Sequence, residues 1–171
     1  MQSTELLEQT ASERLSLEQE YDMQQTWFQD ENKCTFIILD KNKWLQPELT
    51  EIDCMAGDVN LFLDVNHDDI AEIEIMIAEP SCRRKGLGRE ALLAMMNYGV
   101  TYLGIKKYEA KIGCGNDASL TLFDKLGFVK VCFLFFSLFS YLNSNRILPF
   151  LFYSSCGKIW KKSLRHSKDF H

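Results

Sequence analysis

Residues 75–89 (IMIAEPSCRRKGLGR) join an apolar segment to a basic turn that contains two glycines. The pattern predicts a strand that passes through the turn directly into a helix. The first amides of a helix have no partners within it, and the helix dipole favours an anion there. Gly86 and Gly88 remove side chains where a phosphate would approach the backbone. We therefore predict a pyrophosphate-binding turn, whose positive charges belong to Arg83, Arg84 and Lys85.

The pattern G-x-G is short, and two other phosphate-binding motifs also contain glycines at such spacing. A P-loop needs Gly-Lys-Ser/Thr after a four-residue gap, which residues 80–89 do not contain. A dinucleotide-binding turn needs a third glycine three residues beyond Gly88, where this chain has Ala91. A structural alternative stays open, in which Gly86 only turns the chain into the helix.

Two longer patterns carry a family resemblance. R-x-x-G-x-G at residues 83–88, with Pro80 three residues before the arginine, resembles motif A of the GNAT superfamily of N-acetyltransferases. N-x-x-S-x-x-x-F-x-x-x-G-F at residues 116–128 resembles the second cofactor-contacting helix of that superfamily, in the form found in N-terminal acetyltransferases. The resemblance covers roughly residues 10–131.

The resemblance implies a GNAT acetyltransferase fold, a mixed central sheet flanked by helices. Two parallel strands, at residues 72–78 and 108–112, would splay apart and hold the pantetheine arm of acetyl-CoA, the implied co-substrate. Backbone groups of the first strand would pair with this arm, and one amide would polarise the thioester. The implied cofactor-binding residues are Met76, Ile77, Ala78, Arg83, Arg84, Lys85, Gly86, Leu87, Gly88, Arg89, Asn116, Ser119 and Phe123.

Acyl transfer to an amine requires a neutral amine and a base that takes its proton. An α-amino group has a pKa of about 7.7–8 and lysine about 10.4, so a protein N-terminus demands less of the enzyme. Glu72 and Glu74 lie on one face of the predicted strand and are the candidate bases, with a solvated or salt-bridged role as the alternative. The resemblance places a tyrosine general acid where this chain has Phe123, and Ser119 is the substitute we expect. Asn116 is also a candidate helix cap. Tubulin is suggested as acceptor at family level only.

The remaining pattern predicts the elements that position these residues. Ser16-x-x-Gln19 is a capping box that opens a helix with an apolar stripe, which should end near residues 30–33. Residues 55–63 read as a strand with an interruption near Gly57 or Asp58. The order is typical of an α/β fold. The other predicted elements are strands at 34–39, 72–78, 108–112 and from 128, and helices at 89–103 and 116–125.

Charge and cysteine usage exclude several function classes. Residues 1–131 carry a net charge of −10, which argues against nucleic acid as the main partner. The six cysteines are scattered without a C-x-x-C pair, so we expect no metal, and we expect thiols in a reducing compartment. No secretory signal opens the sequence, and we predict a cytoplasmic protein.

The last forty residues differ in composition from the rest. Residues 132–171 have a net charge of +5 and hold seven of the twelve phenylalanines. We predict a partial acetyltransferase domain at 1–131 and a non-cognate tail at 132–171, with the family's first strand and helix and its C-terminal hairpin missing. Two further readings stay open: a catalytically impaired acetyl-CoA-binding module, and a fragment held at a membrane surface by the tail. The apolar stretch 131–142 is too short to span a bilayer.

Overall fold

A computed structural model of the chain describes Leu7, residues 12–132 and the strands at 136–142 and 159–161. The strands form a central sheet, and helices pack on both of its faces. The strands are β1 (Lys33–Leu39), β2 (Met55–Asp64), β3 (His67–Ile77), β4 (Lys107–Gly113), β5 (Val129–Cys132), β6 (Phe136–Leu142) and β7 (Ile159–Lys161). The helices are α1 (Leu17–Gln29), α2 (Lys41–Trp44), α3 (Leu87–Leu103) and α4 (Asp117–Lys125), with a single 3-10 turn at Pro80–Cys82.

The described strands form one mixed sheet in the order β5-β6-β4-β3-β2-β1-β7. Strands β3 and β4 are parallel, and every other neighbouring pair is antiparallel. The parallel pair is joined through α3, which packs against β2 and β3. The predicted α/β class, a mixed sheet flanked by helices, is confirmed.

The predicted capping box opens α1. The Ser16 hydroxyl accepts from the Gln19 amide at 3.3 Å, and the Gln19 side chain accepts from the Ser16 amide at 2.8 Å. These two bonds satisfy amides that have no partner inside the helix. None of the α1 residues is buried, and Leu17, Tyr21, Trp27 and Phe28 stay exposed. The cap therefore fixes the start of this helix, and the helix adds no side chain to the buried core.

Two elements differ from the predicted boundaries. Helix α2 lies between the predicted strands at 34–39 and 55–63, where no element is predicted because four residues are too few to show a helical period. It forms where the Asp40 carboxylate accepts from the Asn42 amide at 2.8 Å. Strand β3 begins at His67 rather than at Glu72. Residues 67–69 are polar and turn-like in type, yet the tight turn at 65–66 lets His67 pair with Asp64 at the end of β2.

The interruption of β2 predicted near Gly57 or Asp58 is an irregularity in the register with β1 one residue before Gly57, and the strand itself is continuous. Both residues pair regularly with β3, and the register shift lies at Ala56, opposite Ile38 and Leu39 of β1. A side chain at Gly57 would overlap the carbonyl oxygen of Met76. Gly57 is therefore needed for close approach of two backbones rather than for a break in the strand.

Tyr108 of β4 fixes the parallel pair to α3. Its ring is fully buried, and its hydroxyl donates to the Met96 carbonyl at 2.7 Å. The hydroxyl fits against Gly99, where a Cβ would overlap it. Burial raises the pKa of Tyr108, so the hydroxyl stays a donor. Helix α3 thus carries a glycine at the contact because a larger residue would push β4 away.

The backbone of residues 136–142 lies inside the sheet. Strand β6 pairs with β4 from Lys107↔Leu142 to Gly113↔Phe136 and with β5 from Val129↔Ser140 to Cys132↔Ser137. Pairing does not test the origin of a segment, so the boundary at residue 131 stays a prediction. Residues 133–135, 143–158 and 162–171 lie outside the described part, and with them most of the segment on which the membrane-surface reading depends.

Gly99→Ala tests the contact between α3 and Tyr108. Alanine favours a helix interior by about 0.5–1 kcal/mol, whereas overpacking a core costs about 1–3 kcal/mol. We expect the overlap to win and the free energy of unfolding, measured by urea denaturation, to fall by ~1 kcal/mol or more. Tyr108→Phe in the same background should recover part of the loss, because it removes the overlapping oxygen. A more stable Gly99→Ala protein would contradict the assignment.

Candidate functional site

Strands β3 and β4 pair over only three positions, from Ile70↔Lys107 to Glu72↔Glu109. Beyond Glu72, β3 continues to Ile77 and β4 to Gly113, with no further pairing between these two strands. On its other side β3 stays paired with β2 as far as Gly57↔Ile77. A gap therefore opens between these two parallel strands, as the family resemblance implied.

The turn that follows β3 is tied back to the end of the strand. Arg83 Nε donates to the Ile77 carbonyl at 3.0 Å. The Glu79 carboxylate accepts from the Ser81 amide at 3.1 Å and opens the 3-10 turn. The buried Cys82 thiol lies 3.4 Å from an Asp40 carboxylate oxygen. Burial, followed by this hydrogen bond, raises the pKa of Cys82.

The two glycines of the turn have different structural roles. Gly86 is the N-cap of α3 with φ of 88°, a left-handed conformation that supports the structural alternative for this residue. Its position has no side-chain cap, so the first amides of α3 stay available to an anion. A Cβ at Gly88 would lie 3.5 Å from the Leu122 side chain and 3.8 Å from that of Ile77. Gly88 therefore faces the space between β3 and α4, and not the open side of the turn.

Basic side chains surround the start of α3. Arg84, Lys85 and Arg89 are exposed, and Arg84 holds φ of 58°, which an L-residue rarely adopts. Leu87 is buried in the core, so only its backbone can contact a ligand. The turn thus presents three cations and uncapped amides to the same region.

Helix α4 packs on the same side of the sheet as α3, with Leu122 next to Gly88 and Phe123 in the core. Asn116 is its N-cap and accepts from the Ser119 amide at 3.1 Å, which confirms the predicted cap. Ser119 is half-buried. The Phe123 ring is 2 % exposed and packs edge-on against Phe128, with centroids 4.9 Å apart, so the structure gives it a packing role. The cofactor contacts of Asn116, Ser119 and Phe123 stay predictions.

Polar side chains cover the sheet face opposite α3. Along β1 and β2, the Thr35 hydroxyl donates to Asn60 at 2.6 Å, and the Asn60 amide donates to Asp58 at 2.6 Å. On β3 and β4, Lys111 donates to Glu72 at 2.6 Å. The cross-strand partner of Asn60 is Glu74. Three carboxyl groups, those of Asp58, Glu72 and Glu74, therefore share one face beside the gap.

Glu72 and Glu74 differ in their partners. Glu72 forms an ion pair with Lys111, which fits the salt-bridged alternative. Glu74 has no hydrogen bond or ion pair with any residue that the structure describes. Glu74 is solvent-exposed as a residue, but the neighbouring strands partly desolvate its carboxyl, and this desolvation, with the like charge of Glu72 next, raises the pKa of Glu74. Glu74 is thus the carboxyl best suited to accept a proton.

Sequence reasoning missed Asp58 and Lys33, which stand near Glu74. Burial raises the pKa of Asp58 and lowers the pKa of Lys33. The alternation of polar Asp58 and Asn60 with apolar Val59 and Leu61 was a usable signal for a polar face. Lys33 offered no such signal, because it directly precedes the apolar run of β1.

A cleft of about 340 Å³ lies between α1 and this polar face. From α1 it is lined by Tyr21, Trp27 and Phe28, and from the sheet by Lys33 and Asp58 among others. The cleft is on the face opposite α3 and α4, so an acceptor molecule and a cofactor in the gap can approach from different sides. The arrangement suits a reaction between two substrates.

Comparisons with known proteins agree with this geometry. The family model described as "Acetyltransferase (GNAT) domain" matches residues 2–129. The chain belongs to the GNAT acetyltransferase family. A spermidine N-acetyltransferase from Vibrio cholerae, solved in complex with CoA and spermine, has the same fold with a TM-score of 0.67 at 20 % identity, over 82 % of this chain and 83 % of that one.

Within the family, the chain is similar to N-acetyltransferase 9, the narrower group that the runs at residues 57–63, 72–88 and 108–113 resemble. It is 64 % identical over 132 residues to the N-acetyltransferase 9-like protein of Nematostella vectensis. It is 61 % identical over 133 residues to the human alpha/beta-tubulin-N-acetyltransferase 9. Each match covers 77 % of this chain, but only 67 % and 64 % of the respective relatives.

Three observations bear on the other expected features. Among the residues described, none of the helices is long and apolar enough to cross a membrane. The same part of the chain holds no group of His, Cys, Asp or Glu side chains arranged to bind a metal. Cys34, Cys54 and Cys82 are buried thiols and Cys114 is exposed, with no disulfide among these four.

Glu74→Gln tests the electrostatic state of the site through stability. Because the folded-state pKa of Glu74 is raised, ionisation of this carboxyl disfavours the fold. That cost is absent below the unfolded pKa and grows as the pH rises through the folded pKa. The variant should therefore be more stable than wild type in urea at pH 8 and equal to it at pH 3. Glu48→Gln, in an exposed loop, serves as control, and a Glu74→Gln protein destabilised at pH 8 would contradict the assignment.

Proposed function

We propose that the chain transfers an acetyl group from acetyl-CoA to a protein amino group, an N-terminal α-amine. The observation that carries the proposal is the unpartnered Glu74 carboxyl, two residues past the last β3–β4 pair and two before Met76. A base at this position stands beside the mouth of the gap. The family supports the reaction class, and because the chain covers about two thirds of its relatives, the activity itself is a proposal.

Acetyl-CoA supplies an activated acetyl thioester, and this chain offers groups that fit its parts. The uncapped amides at the start of α3 and the cations Arg84, Lys85 and Arg89 suit the pyrophosphate. The unpaired strand edge at Met76, Ile77 and Ala78 suits the amide groups of the pantetheine arm. Arg83 Nε donates to the Ile77 carbonyl, so we assign this nitrogen to holding the end of β3 and not to binding the pyrophosphate.

The chain's residues have distinct tasks in the transfer. Glu74 removes one proton from the acceptor ammonium, directly or through water, so that the nitrogen lone pair can attack the thioester carbonyl. The new C–N bond replaces the C–S bond, the second amine proton leaves to solvent or base, and the departing thiolate takes a proton. We assign that last proton to Ser119, since Phe123 has no hydroxyl.

The acceptor is argued from charge and pKa. Three carboxyl groups on the polar face, and Glu20 of α1 at the cleft, favour a cationic acceptor. An α-amine, with a pKa of about 7.7–8, loses its proton to a carboxylate more easily than a lysine does. Tubulin enters as a candidate acceptor because the human relative carries it in its name. We place the reaction in the cytoplasm.

Charge reversal tests the acetyl-CoA site. The double variant Lys85→Glu/Arg89→Glu places two negative charges beside the pyrophosphate and should weaken binding at least tenfold, about 1.4 kcal/mol, in calorimetric titrations. Gly88→Asp is less informative, because Gly88 also packs between β3 and α4. Lys106→Glu is the control, since Lys106 is equally exposed but lies at the opposite end of the sheet, beside Asp69. Its Kd should stay within about twofold of wild type.

Unchanged Kd values in the double variant would show that the turn does not hold the pyrophosphate. No saturable binding by folded wild-type chain would reject the acetyl-CoA site altogether.

Glu74→Gln and Glu72→Gln test the base. Loss of a general base lowers the rate by about 10²–10⁴, so Glu74→Gln should reduce kcat by that factor with little change in acetyl-CoA Kd. Glu72→Gln loses only an exposed ion pair and should lose less than about tenfold. Thiol release and the mass of the product are measured on a peptide with a free N-terminus and on an Nα-blocked peptide that contains lysine. Equal loss in both variants would remove Glu74 from the role of base.

A second candidate is a binding module that holds acetyl-CoA without turnover. Phe123, in place of a hydroxyl-bearing side chain, favours it. Saturable acetyl-CoA binding without thiol release on any peptide acceptor would select this second function.

A further inference from the structure

Lys33 is a buried cation that the reaction described above does not use. The residue is 5 % exposed, and it opens β1 opposite Phe62 of β2. Its ammonium nitrogen lies 3.1 Å from the centroid of the Trp27 ring and 4.5 Å from that of Phe62. Two aromatic faces from two elements therefore hold one ammonium group.

Burial of a lysine is costly, and an apolar residue would fill the same space at lower cost. Within the described residues, the Lys33 ammonium makes no direct hydrogen bond or ion pair. It acts through space on Glu74 and Asp58 of the polar face and on Asp30 at the end of α1. The cation is thus retained beside the acids without being neutralised by any one of them.

The charges that face Glu74 come from every strand around it. Its own strand contributes Glu72, β2 contributes Asp58, β4 contributes Lys111 and β1 contributes Lys33. Lys111 is hydrogen-bonded to Glu72 at 2.6 Å, so its charge is largely matched there. Lys33 is the cation left to oppose the combined negative charge of Glu74 and Asp58.

We propose that Lys33 is a positioning residue for the base, held between Trp27 and Phe62 so that its ammonium favours the carboxylate forms of Glu74 and Asp58. The inference rests on the proposed function in so far as Glu74 is the base. Helix α1 contributes to the site through Trp27, whose ring covers the Lys33 ammonium.

The direction of the effect follows from charge. A carboxylate near a cation loses its proton at lower pH, and only the carboxylate can accept a proton from the acceptor. Without Lys33, desolvation and the charges of Glu72 and Asp58 act on Glu74 with less opposition. A larger share of Glu74 is then protonated and idle at a given acidic pH.

Lys33→Met tests the inference, because methionine keeps an unbranched apolar stem and removes the charge. On the acid limb of the pH profile, kcat/KM should fall about tenfold, and at pH 9 it should stay within about twofold of wild type. Lys33→Arg, which retains charge and stacks on aromatic rings, should restore most of the acid-limb activity. A loss by the same factor at every pH, or no loss, would overturn the inference.

A second measurement does not need turnover. The carboxyl carbon of Glu74, labelled with ¹³C and assigned with Glu74→Gln, should titrate at higher pH in Lys33→Met than in wild type. If Lys33→Met does not fold, Trp27→Leu gives the same test. It keeps the charge of Lys33 but removes the aromatic ring that holds the ammonium in place, so Glu74 should again titrate at higher pH. Unchanged Glu74 titration in these variants rejects the role of Lys33. A shifted titration in a chain that transfers no acetyl group rejects the proposed function and leaves the electrostatic role of Lys33 standing.

Discussion

Strand β3 pairs continuously with β2 from Ala71 to Ile77 on one side and with β4 over only three residues on the other, and the site depends on this asymmetry. The pairing with β2 keeps β3 straight as far as Ile77. Meanwhile β4 is fixed elsewhere, by the Tyr108 hydroxyl on α3 and by β6 along its outer edge. Because each strand is held by different neighbours, β3 and β4 can separate while each keeps its position in the fold. Beyond Glu72 the open edge of β3 has no strand partner among the described residues, and a ligand with amides can pair with it.

The three carboxyl groups on the polar face of the sheet differ in their hydrogen-bond partners. Asp58 is aligned by Asn60, which is aligned in turn by Thr35. Glu72 has Lys111. Glu74, between these two satisfied acids, retains a raised pKa and no bond of its own in the described structure. A site of this kind gives up some stability for chemistry, which is the usual relation between active-site groups and the fold that carries them.

The parts of the fold that sequence predicted well are those with a local physical signature. The capping box of α1, the Asn116 cap of α4 and the glycine turn before α3 each depend on residues within four positions of one another. Alternation alone placed Glu72 and Glu74 on one face of β3. These signals act through short-range hydrogen bonds and backbone conformation, so they survive without knowledge of the tertiary structure.

The parts that sequence did not predict depend on distant contacts. Whether Glu72 or Glu74 is paired is decided by Lys111, 39 residues from Glu72. The burial of Lys33 is decided by Trp27 and Phe62 together. Gly88 was predicted to make room for a phosphate, yet its neighbours are side chains of β3 and α4. In each case the partner comes from another element, and spacing along the chain carries no information about it.

The unequal exposure of the cysteines has a consequence for the chain's response to oxidants and thiol reagents. Cys82, packed behind the turn with its pKa raised, is protected both by burial and by its protonated state. Cys114 is exposed in the loop between β4 and α4, two residues before the cap of α4. Among the four cysteines whose surroundings are described, electrophiles and peroxides therefore reach the loop between β4 and α4 before they reach the core, and a label attached there would report on that loop without disturbing the packed interior.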